Sequence, residues 1–314
     1  QNYAALPLGA VHSGLQFGEA MLSCKMRDGE YYFTAEGECG WLTMVATTSE
    51  HDANGSANGY EREASTVGGG VQWALNDRWH VGLAAAFERD TIDANTLENF
   101  RAQVAEGRTM HVGAVLKGNF SGTTIAASLS GARGEYDARR RAFLTFAARS
   151  APTVYQEALQ LRVAHAFDSP RWYWRPMLDL GITRVRLGSF LENGAGATNL
   201  AVDSGSETFV NLRPGVELGY QLAVGDAIAR LYARLAVDRF VSGGDFSVDA
   251  VFQEAPGAAG PFRVTESLDR TVRECAFGVD LFGTRGLTLR LGYAGQFSAN
   301  GTSHGGTIKF VRAF

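Results

Sequence analysis

The sequence predicts an all-β fold: a transmembrane, antiparallel, up-and-down β-barrel of about twelve strands, with a short N-terminal α-helix inside the lumen. Three observations carry this reading. Alternation of period two recurs in segments of roughly ten or more residues, longer than the about five or six usual in globular strands. One parity of these segments is apolar, whereas the other is rich in glycine and charge. The chain also ends on Thr307-Ile308-Lys309-Phe310-Val311-Arg312-Ala313-Phe314, a strand-like apolar segment. Such an edge invites aggregation unless it is paired, and in a closed barrel the last strand pairs with the first.

Composition narrows the alternatives. The 314 residues suffice for one large barrel or two ordinary domains. Glycine is abundant at 38 and proline scarce at 7, a balance suited to long strands and short turns. The longest apolar runs, such as residues 81–87, fall far short of the ~20 residues a membrane-spanning helix needs. No basic segment followed by an apolar core opens the chain, so any signal peptide is expected to have been removed. A net charge of -4, with no basic stripe interleaved with aromatics, argues against a nucleic-acid partner. No GxxxxGK[ST] motif occurs, and no His or Cys cluster offers the about four ligands of a zinc site. No cofactor or metal is therefore expected.

The elements follow in order. In residues 8–23, Val11, Leu15 and Leu22 recur at helical spacing, with Phe17 and Met21 beside them and His12, Gln16 and Glu19 as polar positions. A helix of that length spans about 24 Å, close to the height of a barrel's apolar band. Gly9, Gly14 and Gly18 each cost an isolated helix ~1 kcal/mol, yet they permit close approach to a wall. Residues 1–23 are accordingly expected to form a lumenal helix; the alternative is a frayed arm. Residues 24–39 then connect it to a barrel over 40–314. Cys24 and Cys39 bracket a polar stretch and form either a local disulfide in an oxidising compartment or two unpaired thiols.

Within the barrel, residues 79–87 place Trp79, Val81, Leu83, Ala85 and Phe87 on one parity and His80, Gly82, Ala84 and Ala86 on the other. Residues 210–222 alternate Val, Leu, Pro, Val, Leu, Tyr and Leu with Asn211, Arg213, Gly215, Glu217, Gly219 and Gln221. Residues 287–297 repeat the pattern. The polar parity assigns Arg162, Arg175, Asp179, Arg213, Glu217, Arg230, Arg234, Asp238, Glu274, Asp280 and Arg290 to the lumen, where glycine leaves room for something inside. Trp73, Trp79, Trp172, Trp174 and Tyr293 suit interfacial girdles. Short turns at Asn76-Asp77, Ser121-Gly122, Asp168-Ser169-Pro170, Gly225-Asp226 and Gly283-Thr284-Arg285-Gly286 alternate with longer connections at 50–59, 90–105, 137–152, 192–205 and 243–261. An even strand number puts both barrel ends on one side, with the short turns periplasmic and the long loops outside. A closed barrel leaves no free edge, so a monomer is expected.

Here the chain resembles the C-terminal translocator domain of autotransporters, the type V secretion family of Gram-negative bacteria. Gly40-Trp41-Leu42-Thr43, followed by Gly68-Gly69-Gly70-Val71-Gln72-Trp73 and Val81-Gly82-Leu83, looks like the family's opening strands. Asp245-Phe246-Ser247-Val248-Asp249-Ala250-Val251-Phe252 with Ala255-Pro256-Gly257 and Phe262 looks like its long late hairpin. The resemblance implies a bacterial outer-membrane protein that anchors in lipid and exports its own N-terminal passenger. It implies assembly by the barrel-assembly machinery with periplasmic chaperones, read from a C-terminal signal at Ile308, Phe310 and Phe314; Arg312 interrupts the family's apolar alternation there. Some members cleave the passenger inside the lumen, and a chain beginning at Gln1 is either such a product or a boundary.

The lumenal charges have two readings. Arg213, Glu217, Arg230 and Arg234 pair with each other and with Asp238, Glu274 and Asp280, or a subset holds the helix or promotes passenger cleavage. The alternatives to a translocator are a lipase- or protease-type barrel enzyme and a passive porin. The six histidines are scattered, and only His51, between Glu50 and Asp52, forms a cluster. A run of polar loop residues is ordinarily solvated, so no catalytic residue is assigned. A porin would need an open lumen and no helix.

Overall fold

The computed structural model describes residues 3–22, 25–27, 34–53, 59–97, 100–141, 147–169, 171–224, 227–254, 260–283 and 286–314. Twelve strands close into a barrel: β1 (Cys39–His51), β2 (Tyr60–Ala74), β3 (Trp79–Leu97), β4 (Phe100–Phe120), β5 (Thr123–Arg141), β6 (Thr153–His165), β7 (Trp172–Leu187), β8 (Gly205–Val224), β9 (Ala227–Ser242), β10 (Thr271–Phe282), β11 (Leu287–Phe297) and β12 (Gly301–Ala313). Neighbours are antiparallel, and β12 returns to β1 with Ala313 opposite Cys39 and Gly301 opposite His51. Closure satisfies the backbone where lipid offers no hydrogen bonds.

The usual burial is inverted. Leu83 and Phe87 on β3 and Leu212, Leu218 and Leu222 on β8 are exposed, whereas Glu88, Asp90, Asn211, Glu217 and Gln221 are buried. On β7 the outward residues run apolar from Trp172 to Ile182, a stretch covering roughly 25 Å of height at the usual rise and tilt. At the short-turn end, Phe167 stacks on Trp174 at 4.4 Å and Trp79 meets Phe120 edge-on at 5.6 Å. Among the described residues no helix is long and apolar enough to cross a membrane.

Three expectations shift. Residues 90–105 and 137–152, expected as loops, are largely strand: β3 runs to Leu97, β4 starts at Phe100, and β5 reaches Arg141 and pairs with Ala147–Ser150. The inward parity here stays buried through Asp90, Ile92 and Ala94 while the outward parity turns polar at Arg89 and Thr91. That change marks the exit from lipid rather than the end of the strand. The connections at 192–205 and 243–261 contribute to a four-stranded sheet, Phe190–Leu191, Leu200–Val202, Asp245–Phe252 and Phe262–Ser267, lying over the long-loop mouth. Finally, helix α1 (Ala5–Met21) begins at Ala5 rather than Leu8. Pro7 sits in its first turn, where the missing N–H would have had no helical partner.

Ser121 and Gly122 both take positive φ, 47° and 85°, in the two-residue turn joining β4 to β5, the twist-matched geometry for adjacent strands. A small antiparallel pair, Lys25–Arg27 with Thr34–Glu36, separates helix and barrel. Cys24, Pro170, Gly225-Asp226, Ala255-Pro256-Gly257 and Thr284-Arg285 lie outside the described residues.

Candidate functional site

The site is the lumen with α1 threaded through it. The first half of the helix lies beneath the four-stranded sheet: Leu6, Leu8 and Val11 share a buried cluster with Leu200, Val202, Phe246 and Val248. Burying each such side chain stabilises the docked helix by about 1.5–3 kcal/mol. Ahead of the helix, Tyr3 Oη donates to Glu192 Oε1 at 2.6 Å, and Arg140 Nε donates to the same oxygen at 2.7 Å. Glu192 also accepts from the Leu200 N–H at 2.9 Å. The sheet is thereby tied both to β5 and to the entry of the helix.

Further down, glycine sets the approach. A Cβ at Gly14 would overlap the Gln156 side chain, and one at Gly18 would overlap Gln160, both on β6. Gln160 Nε2 donates to the Leu15 carbonyl at 3.1 Å, a bond that depends on this closeness. We predict that Gly14→Leu combined with Gly18→Leu displaces the helix, since overpacking costs roughly 1–3 kcal/mol per site. Single-channel conductance in planar bilayers should rise. Unchanged conductance would mean that this face does not seat the helix.

Polar latches complete the docking. Ser13 Oγ donates to Glu88 Oε1 at 2.8 Å and accepts from Arg62 Nη2 at 2.8 Å; Arg62 also bonds Glu88 at 2.7 Å and Asp90 at 3.0 Å. In the last turn, Glu19 pairs with Arg213 of β8 at 3.0 Å and with Arg234 of β9, while Arg162 of β6 stands 3.9 Å away. A carboxylate at a helix C-terminus opposes the helix dipole, so Glu19 is stabilised by the wall, not by its own helix. Lys309 of β12 supplies the cation that end lacks, donating to the Ala20 carbonyl at 3.0 Å. Its Nζ also lies 4.5 Å from the centre of the Trp41 ring.

The remaining wall charges pair locally. Arg213 and Arg234 share Glu274 at 2.8 and 2.6 Å. Arg162 grips Asp179 through two bonds of 2.7 Å. Asp280, 1 % exposed, holds both Arg230 and Arg290. Two carboxylates have partners beyond the expected ones. Glu217 binds Arg175 at 2.9 Å and accepts from Tyr173 Oη at 2.7 Å. Asp238 accepts from Asn211 Nδ2 at 2.8 Å and, among the described residues, makes no ion pair. Arg175 faces Glu217 directly across β7 and β8, and Arg234 faces it across β8 and β9.

Helix and wall do not fill the barrel. A cavity of about 260 Å³ lies between the His12, Gln16 and Glu19 side of α1 and the wall of β1 and β9–β12. Its lining is mixed: Leu15, Val45 and Phe240 contribute apolar surface, while Thr47, Ser49, Asp238 and Ser303 offer the polar partners that water needs.

The other sequence candidates fall elsewhere. Ile308 and Phe310 face outward and Phe314 is exposed at the end of the last strand. Cys39 is disulfide-bonded and Cys275 is free; Cys24 lies outside the described residues. His51 is half-buried and stacks on Tyr60 at 5.3 Å, whereas Glu50 and Asp52 are exposed. Among the described residues, no group of three or more His, Cys, Asp and Glu is placed to hold a metal ion. Sequence reasoning missed Arg62, Glu88, Asp90, Arg140, Glu192 and Lys309. For Arg62, Glu88, Asp90 and Arg140 the signal was the inward parity of strands that continue beyond the apolar band; Lys309 sits on the inward parity between outward Ile308 and Phe310, and Glu192 lies in a connection with no such signal.

A profile of the autotransporter beta-domain matches residues 40–294. No curated protein sequence matches the chain. Among solved structures, the chain is similar to the translocator domain of the autotransporter NalP from Neisseria meningitidis, with TM-score 0.80 and 16 % identity over 99 % of both chains. It is similar to the beta domain of the Bordetella autotransporter BrkA, with TM-score 0.62 and 16 % identity over 88 % of this chain and 100 % of that one. The transport unit of AIDA-I from Escherichia coli gives TM-score 0.63 and 11 % identity over 98 % of both chains. At these identities the structural likeness is one of fold.

Proposed function

The chain belongs to the autotransporter family as its β-domain, an outer-membrane translocator, and from that premise we propose that α1 is the tether by which a passenger is held at the surface after export through this barrel. The observation that carries the reading is the threading of α1, with Tyr3 at the long-loop mouth and Met21 deep in the barrel against Gly113. A chain emerging ahead of Tyr3 does so on the long-loop side, the outer face of barrels with short periplasmic turns. The wet gap along β9–β12 leaves the wall hydrated, and the paired charges keep it from clinging to a passing polypeptide.

On this reading residues 1–23 are the lumenal segment, 24–39 the periplasmic connection and 40–314 the barrel. Cys24 pairs with Cys39, fastening the connection to β1. Ile308, Phe310 and Phe314 form the strand that the barrel-assembly machinery reads, periplasmic chaperones carry the unfolded chain to it, and the barrel acts as a monomer. The wall charges hold the helix; they perform no chemistry. The porin and barrel-enzyme readings are not favoured, because a threaded helix narrows the lumen and His51 faces a tyrosine instead of a converging nucleophile.

The test restores an export signal and a small reporter ahead of Gln1 and adds protease to intact cells. We expect the reporter to be digested while the barrel keeps its heat-modifiable gel mobility. A protected reporter on a folded barrel would sink the proposal.

A further inference from the structure

We propose that the outward face of β3–β7, just above the apolar band on the long-loop side, binds the phosphate groups of outer-leaflet lipid headgroups. On each of four strands the first outward position beyond the apolar stretch is arginine. On β3, Arg89 follows Phe87; on β4, Arg108 follows Met110; on β5, Arg133 follows Leu129 and Gly131; on β7, Arg184 and Arg186 follow Ile182. All five side chains are exposed. This level is where a barrel leaves hydrocarbon and meets headgroups, so these guanidiniums are presented to lipid, not to the lumen.

The centre of the surface is preorganised. Arg133, Tyr155 and Arg186 lie in one cross-strand row over β5, β6 and β7. Arg133 Cζ lies 5.8 Å from the centre of the Tyr155 ring and Arg186 Cζ lies 4.8 Å from it. Two planar forks held against one phenol ring match a phosphate ester, which guanidinium binds in bidentate fashion. Carboxylates nearby, Glu106, Glu135 and Glu157, offset only part of the charge of the five arginines. Glu135 pairs with Arg133 at 2.7 Å, but the two side chains are 60 % and 67 % exposed, and such a pair is weak in water. Glu157 stands opposite Arg184. Among the described residues, Arg89, Arg108 and Arg186 make no ion pair.

The charge is also one-sided. Arg239 and Arg273 extend it as far as β10, whereas around the seam β1, β2 and β12 carry Thr48, Ser65 and His304 at the corresponding level. A generic interfacial girdle would run all the way round.

The test adds bis-phosphorylated lipid A, or its dephosphorylated form, to the refolded full chain in neutral detergent and measures retained lipid by native mass spectrometry. We expect the phosphorylated lipid to be retained and the dephosphorylated lipid lost. Arg133→Gln with Arg186→Gln should weaken retention about tenfold, and Tyr155→Leu should weaken it as well. Arg263→Gln, on the exposed hairpin where Arg263 pairs with Asp249 at 2.9 Å, should leave it unchanged. Heat-modifiable mobility confirms that each variant is folded. Equal retention of both lipids, undiminished binding by the double variant, or an equal loss in Arg263→Gln would overturn the proposal. So would complete displacement of the lipid by an equal concentration of inorganic phosphate, which would make this a site for free anion.

Discussion

Glu19→Arg is expected to expel the helix from the lumen. The wild-type carboxylate sits among Arg213, Arg234 and Arg162, and reversing its charge puts a fourth cation into that group. Removing one partner from a buried ion network already costs roughly 3–5 kcal/mol. That shifts the ratio of seated to unseated helix by a factor of about a hundred or more. Conductance in planar bilayers should change from low and steady to high and flickering or continuously open. A cysteine pair placed across α1 and β6 should lose its oxidative cross-link. The barrel should keep its heat-modifiable mobility, because Arg213 and Arg234 still share Glu274. A conductance equal to wild type would show that the seal does not depend on this latch.

The second large effect falls on the barrel itself. Asp280→Ala removes the only carboxylate that the structure places on both Arg230 and Arg290 among the described residues. Arg230 is 1 % exposed, so its charge cannot simply return to water. Breaking such a buried pair costs about 3–5 kcal/mol. Urea unfolding followed by tryptophan fluorescence should show a clearly lower midpoint, and heat modifiability should be lost at a lower temperature. Arg230→Met and Arg290→Met together with Asp280→Leu should recover much of the loss, because an apolar trio of similar volume removes the desolvation penalty along with the attraction. If Asp280→Ala unfolds like wild type, the two arginines have found water, and this end of the lumen is wetter than the burial indicates.

The barrel was legible because period two is a local property. The alternation of Leu212 and Leu218 with Arg213 and Glu217 needs no knowledge of the neighbouring strand, and it fixes which face meets lipid. Pairing is not local. Asp280 bonds Arg290 on the adjacent strand of one hairpin but Arg230 fifty positions away (280 − 230), and only the register across β9 and β10 brings that arginine near. For the same reason Arg175 was not foreseen as a partner of Glu217. The Arg62–Glu88–Asp90 latch was missed because the sequence around Asp90 changes from apolar to polar on its outward parity, which reads as the start of a loop. Half of the sheet over the mouth was visible in the alternation of residues 245–252, but its partners Phe190–Leu191 and Leu200–Val202 are only two and three residues long, too short to announce a strand. The helix was visible from Val11, Leu15 and Phe17, but its first turn was not, because Ala4 offers no side-chain cap to mark the start.

The seam between β1 and β12 also governs time. His51 meets Gly301 across 250 positions (301 − 51), and bringing such distant segments together costs about 5 kcal/mol of chain entropy before any contact rewards it. Every other wall contact joins strands that are neighbours in sequence, so the sheet grows cheaply by hairpins until this last pairing. High sequence separation slows folding, and closure is therefore the step expected to be slow. Without it β1 and β12 are two open edges. Once β12 has zipped onto β1, α1 can leave only along the axis, past the sheet over the mouth.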